Sequence, residues 1–214
     1  MFICFEGGDG CGKSTQQKLL AEYLQKKGIE TVLCNDPGGT PLGYAVRDIL
    51  LHRDDISIDD RSEMFLFMAA RAQLVEEIIR PALEKGKTVL SDRFLLSNIV
   101  YQGYAGGVGI ETLQITGQIA TGGVMPDLTL IFDLPYQDAV KRMFDRGKQD
   151  RMERKGERYH QLVREGFLQY AESHSEQCHL EQCHSGQYTV IDAAQPVKVI
   201  AEQVQRIVDD IAAL

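Results

Sequence analysis

The sequence contains no apolar run approaching the roughly 18 residues that a membrane span needs. Its start also lacks a basic stretch, an apolar signal core and a small-residue cleavage site, because Phe2–Phe5 runs straight into Glu6-Gly7-Gly8-Asp9. The expectation is a cytoplasmic protein with no membrane partner. There is no even cysteine set at framework spacing: the five cysteines stand at 4, 11, 34, 178 and 183. This excludes a disulfide scaffold and leaves free thiols as the expectation. There is no excess of cations either. The net charge is −8, which argues against a general nucleic-acid binder, since phosphate-backbone affinity needs clustered Lys and Arg. Internal repeats and low-complexity linkers are absent. What is present is ordinary for a globular chain: 214 residues, 43% hydrophobic and 25% charged, expected to form a single domain over 1–214.

The charge is unevenly spread. Residues 141–164 carry nine Lys/Arg against four Asp/Glu, a local +5, so the remainder holds 14 basic against 27 acidic residues. One basic segment in an acidic protein suits a small anionic ligand bound at one place. A solvated helix face explains most such runs equally well.

Five stretches rich in β-branched and aromatic residues read as buried strands: 2–6, 31–35, 88–92, 128–133 and 188–192. Between them, 13–27, 61–83, 110–121 and 197–214 carry apolar residues at helical spacing. Strands alternating with helices imply an α/β fold, a parallel sheet covered on both faces, with ligands beyond the carboxyl ends of the strands. The first strand ends in Glu6, and three others end in Asp92, Asp133 and Asp192. The glycine-rich 103–109 and the charged 145–158 read as mobile loops.

Gly7-Gly8-Asp9-Gly10-Cys11-Gly12-Lys13-Ser14 fits G-x-x-x-x-G-K-[ST] in full, between a strand and a helix. Glycines let backbone N–H groups wrap a phosphate, and the following helix adds the positive end of its dipole. Lys13 would reach the β- and γ-phosphates and Ser14 would ligate Mg²⁺. The chain is therefore expected to bind a nucleoside triphosphate.

What happens to the γ-phosphate is a separate question. Asp92-Arg93 ends the third strand, where Asp92 could hold Mg²⁺ through water and Arg93 could bridge two phosphates; a local ion pair is the plainer alternative. Phe67 and Arg71 lie one helical turn apart, so a stacking ring and a hydrogen-bonding cation share a face. On residue type alone, a core Phe and a surface Arg fit as well. No strong general base stands near these motifs. A hydroxyl acceptor would need one, whereas a nucleoside monophosphate already carries a nucleophilic oxygen. A kinase for another nucleotide, or a P-loop ATPase switch that hydrolyses ATP without an acceptor, remain the competing readings.

Taken together, these residues resemble the thymidylate kinase family of P-loop nucleoside monophosphate kinases. The likeness runs from Phe2 to about Asp192. It rests on Phe-Glu-Gly-x-Asp-Gly-x-Gly-Lys-Ser-Thr at 5–15, Asp-Pro-Gly-Gly-Thr at 36–40, Arg47 before Asp48-Ile49-Leu50-Leu51, and Phe67 with Ala69-Ala70-Arg71. Asp92-Arg93-Phe94, Ser97-Asn98, Tyr101-Gln102-Gly103, Pro126-Asp127-Leu128-Thr129 and Asp150-Arg151-Met152-Glu153 continue the pattern.

The resemblance implies a three-layer α/β/α fold with a five-stranded parallel sheet and a mobile basic lid near 145–158. It implies transfer of the ATP γ-phosphoryl group to dTMP with Mg²⁺, and a homodimer. Gly7, Gly8, Asp9, Gly10, Cys11, Gly12, Lys13, Ser14 and Thr15 would bind ATP, with Ser14 and Asp92 at the metal. Phe67 would stack on thymine, Arg71 would meet a base carbonyl, and Asn98 and Gln102 the other polar edge. Tyr101 would crowd the position of a 2′-hydroxyl, Asp9 would approach the 3′-hydroxyl side, and Arg47 and Arg93 would hold the acceptor phosphate beside Asp36. Gly10 occupies the position where some relatives carry a phosphate-loop arginine, so the missing cation is expected from the lid. Arg151 is the first choice, and Arg146, Arg154 and Arg158 are the substitutes.

Three departures stand out. Asn35 replaces an arginine usual in bacterial-type relatives, with Asp36 one methylene shorter than their glutamate. Gly106 replaces another arginine, and Phe94 stands for tyrosine. Outside the pattern, His174, Cys178-His179 and Cys183-His184 form a possible zinc set; a surface helix and turn with free thiols is the alternative.

Overall fold

The computed structural model describes residues 1–144, 150–177 and 187–212. Among these, five strands form one parallel sheet: β1 (Phe2–Gly7), β2 (Thr31–Asn35), β3 (Thr88–Asp92), β4 (Leu128–Asp133) and β5 (Gln187–Asp192), in the order β2-β3-β1-β4-β5. The three inner strands are near-continuous apolar runs because helices cover both their faces. Alternation along β1 divides the core. Phe2 and Cys4 face the layer containing Leu50, Phe67, Leu74 and Phe167, whereas Ile3 and Phe5 face Leu20, Leu24, Ile200 and Val204.

The second layer is formed by α1 (Lys13–Lys26) and α9 (Val197–Ala212), which are joined at the surface by Asp209, accepting from the Tyr23 hydroxyl and from Lys27. On the opposite face lie α2 (Pro41–His52) and α3 (Asp60–Leu74). Thr40 caps α2 by accepting from the Gly43 amide, and Asp59 caps α3 by accepting from the Arg61 and Ser62 amides.

The single helix expected over 61–83 is in fact α3, a π-helical turn at Val75–Ile79, and α4 (Arg80–Glu84). Pro81 accounts for the break. It has no N–H to donate to residue 77, so the hydrogen-bond ladder widens in the turn before it. A second π-helical turn, Ile99–Tyr104, continues the short α5 (Leu95–Asn98). The loop expected at 103–109 therefore starts later. Gly103 is buried in that turn, and a Cβ there would lie 2.7 Å from Leu113 Cδ1 on α6 (Ile110–Thr121). The charged loop expected at 145–158 likewise ends earlier. Residues 145–149 lie outside the described residues, 150–156 form turns, and Glu157 and Arg158 already belong to α8 (Glu157–Gln177), which follows α7 (Tyr136–Phe144).

The ends of β1 and β4 are packed against each other by Phe5 and Phe132, whose rings stack with centroids 5.8 Å apart. Both rings are buried, and the Phe132 carbonyl lies where a side chain on Gly7 would project. Phe132→Ala is expected to cost about 3–5 kcal/mol, read as a lower urea midpoint with unchanged slope.

Candidate active site

β1 lies between β3 and β4, so the loops leaving β1 and β3 diverge at its carboxyl end and open a crevice. Glycines make the first loop possible. Gly7 has φ 130°, and a Cβ there would sit 2.5 Å from the Phe132 carbonyl oxygen; Gly12 has φ 96° immediately before α1. No described side chain caps α1, which leaves its N-terminus open to an anion. Lys13 folds back over the loop, donating to the carbonyls of Gly8 at 2.8 Å and Gly7 at 3.2 Å. Beside it, the Ser14 hydroxyl donates to Asp92 Oδ2 at 2.5 Å. A hydroxyl and a carboxylate so close together at a phosphate loop are hard oxygen donors of the kind Mg²⁺ prefers.

The loop after β3 holds Arg93 at φ 71°, a backbone region that non-glycine residues rarely adopt. Glu6 accounts for its stability. Fully buried at the end of β1, it accepts from the amides of Phe94 and Ser97 and from the Ser97 hydroxyl. Burial pushes the Glu6 carboxyl up from its usual range, partly offset by Arg93 and these donors. The Arg93 guanidinium pairs with Asp9 and donates to the Gly7 carbonyl at 2.9 Å, to Ser97 Oγ at 3.0 Å and to the Tyr101 hydroxyl at 3.2 Å. Burial alone would raise the Asp9 carboxyl, but Arg93 and then Lys13 outweigh it and hold the group at about 2.

The residues expected to bind the acceptor converge. Asp9, Asp36, Arg47, Phe67, Arg71, Arg93, Asn98, Tyr101 and Gln102 line one cavity, together with Pro37, Leu51, Ser97, Asp150 and Met152. The cleft over the phosphate loop contains Gly10, Gly12, Lys13, Ser14, Thr15 and Asp92. It shares Asp9, Asp36, Arg47, Arg93 and Asp150 with the cavity, so the two ligand spaces meet at a wall of charged side chains. Gly7, Gly8 and Cys11 form the rest of the loop, with Cys11 buried.

Within the cavity Arg71 is held rigidly. It pairs with Asp36 at 2.6 Å, both side chains being essentially buried, and donates to the Phe94 carbonyl at 3.2 Å. Burial raises the Asp36 carboxyl, opposed by Arg71 and Arg47, and Asp36 Oδ1 finds no hydrogen-bond partner among the described residues. Arg47 donates to the Pro37 carbonyl at 3.0 Å, close to where Asn35 Nδ2 also donates. At the far edge, Asn98 Nδ2 donates to Gln102 Oε1 at 2.7 Å.

Arg151, the first choice for the lid cation, is held by α2 and α3. Its Nε donates to the Leu50 carbonyl at 2.7 Å, its backbone N–H to the Leu51 carbonyl, and its Nη2 pairs with Glu63. The guanidinium is thus tied to α2 by a backbone carbonyl and to α3 by a buried carboxylate. Of the substitutes, Arg154 pairs with Asp54, Arg158 lies exposed on α8, and Arg146 is outside the described residues.

Two important acids escaped the sequence reading. Glu6 was read as a strand end and a position in the 5–15 pattern, with no role of its own. Glu63 was passed over, although Glu63, Phe67 and Arg71 recur every four residues and so share one face of α3. Four members of the possible zinc set, Cys178, His179, Cys183 and His184, lie outside the described residues, and the fifth, His174, stacks on Tyr170 with ring centroids 3.8 Å apart. No cluster of metal-binding side chains occurs among the described residues. Cys4, Cys11 and Cys34 are free and buried, and burial pushes the Cys34 thiol up to about 12. No described helix is long and apolar enough to cross a membrane.

A glycine cradle that opens across a shared wall onto a second, arginine-lined cavity defines a P-loop nucleotide-binding protein built for two phosphorylated ligands. Comparison with known proteins narrows this. The thymidylate kinase family profile matches residues 5–204. Thymidylate kinase of Thermoanaerobacter sp. (strain X514) is 51% identical over 169 residues, 78% of this chain and 81% of that protein. Thymidylate kinase of Caldanaerobacter subterraneus subsp. tengcongensis is 43% identical over 209 residues, covering 98% and 95%. The crystal structure of thymidylate kinase from Ehrlichia chaffeensis aligns with a TM-score of 0.73 at 31% identity, covering 97% of this chain and 98% of that one. The chain belongs to the thymidylate kinase family, and it is an enzyme, a nucleoside monophosphate kinase that phosphorylates dTMP.

The depressed Asp9 carboxyl has a consequence for stability. Its folded value, about 2, lies below the 3.8 of an unperturbed aspartate, so its pairing stabilises the fold fully above about pH 4 and is lost as pH falls toward 2. The stability gap between wild type and Asp9→Asn, measured by denaturant unfolding, is expected to be constant from pH 6 to 8 and to narrow below about pH 4.

Proposed function

We propose that residues 1–214 act as one cytoplasmic kinase domain, paired as a homodimer. The reaction is Mg²⁺-dependent transfer of the ATP γ-phosphoryl group to dTMP, giving ADP and dTDP for dTTP synthesis. The observation that carries this reading is the wall shared by the two ligand spaces, where Arg93 and Arg47 stand between the phosphate loop and the cavity.

The chemistry follows from charge. The acceptor phosphate is largely dianionic at neutral pH, so it needs no general base. The obstacle is repulsion between two anions. Lys13 holds the β- and γ-phosphates of ATP, while Arg47 and Arg93 hold the acceptor phosphate, and Arg93 leaves Asp9 in part to do so. Ser14 and Asp92 are the residues that would hold Mg²⁺, which when bound neutralises phosphate charge. Phe67 stacks on the thymine, Arg71 donates to a base carbonyl from its fixed seat on Asp36, and Asn98 and Gln102 face the other edge. Tyr101 occupies the space of a 2′-hydroxyl, and Asp9 receives the 3′-hydroxyl. We reassign Arg151 from supplying transition-state charge to anchoring the lid over the acceptor, because its guanidinium is committed to Glu63 and Leu50.

The homodimer reading draws on an exposed apolar surface. Phe65 on α3, and Ile115 and Ile119 on the adjacent α6, are 59%, 55% and 77% exposed, an arrangement that suits burial against a second copy.

ADP production coupled to a reporter, with dTMP, dCMP, AMP, GMP, thymidine or no acceptor, tests the reaction. Turnover is expected to depend on dTMP; ATP consumption indifferent to any monophosphate would overturn the reading. Lys13→Ala and Arg93→Ala are each expected to lower kcat by about 100-fold or more with unchanged circular dichroism. Arg151→Ala is expected to raise KM for dTMP more than it lowers kcat, and the opposite split would restore the transition-state role. For the dimer, Ile119→Arg is expected to sediment as a monomer at concentrations where wild type sediments as a dimer.

A further inference from the structure

We propose that Glu63 sets the direction of the hydrogen bonds at the base-reading edge and so selects a pyrimidine that carries an N–H at ring position 3. This rests on the dTMP reading above and names the device behind its base preference.

Glu63 is 2% exposed, and both its oxygens are engaged: Oε2 by Arg151, Oε1 by Gln102 Nε2 at 2.8 Å, with Lys155 Nζ 3.9 Å from Oε1. An ionised carboxylate only accepts hydrogen bonds. Gln102 must therefore turn its NH₂ toward Glu63, which leaves its Oε1 facing Asn98. Asn98 must in turn give its NH₂ to Gln102, at 2.7 Å. The orientation of both amides is dictated from Glu63 outward. What remains is Asn98 Oδ1, buried and without a partner among the described residues, on a residue that lines the acceptor cavity.

A buried acceptor without a donor is costly, so it favours a ligand that brings an N–H and disfavours one that brings a second lone pair. Thymine and uracil present N–H at ring position 3, whereas cytosine presents a lone pair there. Glu63 touches no substrate in this scheme; it is a positioning residue acting through two amides.

Glu63→Gln is the decisive substitution, because it reverses the relay. Arg151 takes the new amide oxygen, the amide NH₂ faces Gln102, Gln102 turns over, and Asn98 then presents NH₂ to the base. The expected result is that kcat/KM for dCMP rises while that for dTMP falls, closing their ratio by about tenfold or more. The ratio of dUMP to dTMP stays constant, since both carry the N–H. Gln102→Met cuts the relay without touching Glu63 and is expected to lower the dTMP-to-dCMP ratio through loss of dTMP turnover. If both variants lose dTMP and dCMP turnover in parallel, with the wild-type ratio intact, the relay is overturned and Glu63 is merely structural. A wild-type enzyme with no preference for dTMP over dCMP would instead overturn the dTMP reading itself.

Discussion

Two phosphate groups repel each other, and the architecture turns on where the cation between them is kept. Arg93 sits at the junction of the two ligand spaces in a backbone conformation that costs about 1 kcal/mol or more for a side chain with a Cβ. Glu6 offsets that cost by gathering the amides of Phe94 and Ser97, and Asp9 neutralises the guanidinium when no anion does. Each of these acids ends or follows β1, so the strand that launches the phosphate loop also seats the residue that would meet the second phosphate.

The same logic of fixed charge operates deeper in the cavity. Arg71 and Asp36 are buried as a pair, which contributes little net stability because desolvation cancels much of the attraction. What the pair provides is orientation. With Nε held by Asp36 and Nη2 by the Phe94 carbonyl, the guanidinium has its place before a ligand arrives. An arginine free to swing would lose entropy on binding, and a pre-set one does not.

Much of this was legible in the sequence, for identifiable reasons. The five strands could be read because inner parallel strands must be apolar on both faces, and 31–35, 88–92 and 128–133 match residue for residue. The phosphate loop was legible because only glycines tolerate its turns. The helices α2, α5 and α8 were not, since packing and capping decide them more than apolar spacing does. Phe67 and Arg71 show the limit of residue type: a surface place for Arg71 was as reasonable as a buried one, and only Asp36, distant in sequence, keeps it inside. The seat of Arg151 was equally hidden. Sequence shows the charge of the basic segment but not the carboxylate on α3 that captures it.

The π-helical turn at Ile99–Tyr104 has a broader consequence. Ser97, Asn98, Tyr101 and Gln102 all line the acceptor cavity from this one irregular stretch and the short helix before it, whereas Gly10, Gly12, Lys13, Ser14 and Thr15 line the phosphate-loop cleft from the loop after β1 and the start of α1. Much of the fuel handling and much of the cargo reading are thus written in separate, short lengths of chain that meet at the shared wall. Gain or loss of a single residue in the wide turn re-aims the cargo side while leaving the fuel side intact, so this scaffold can diversify in what it phosphorylates without relearning how to hold the phosphoryl donor.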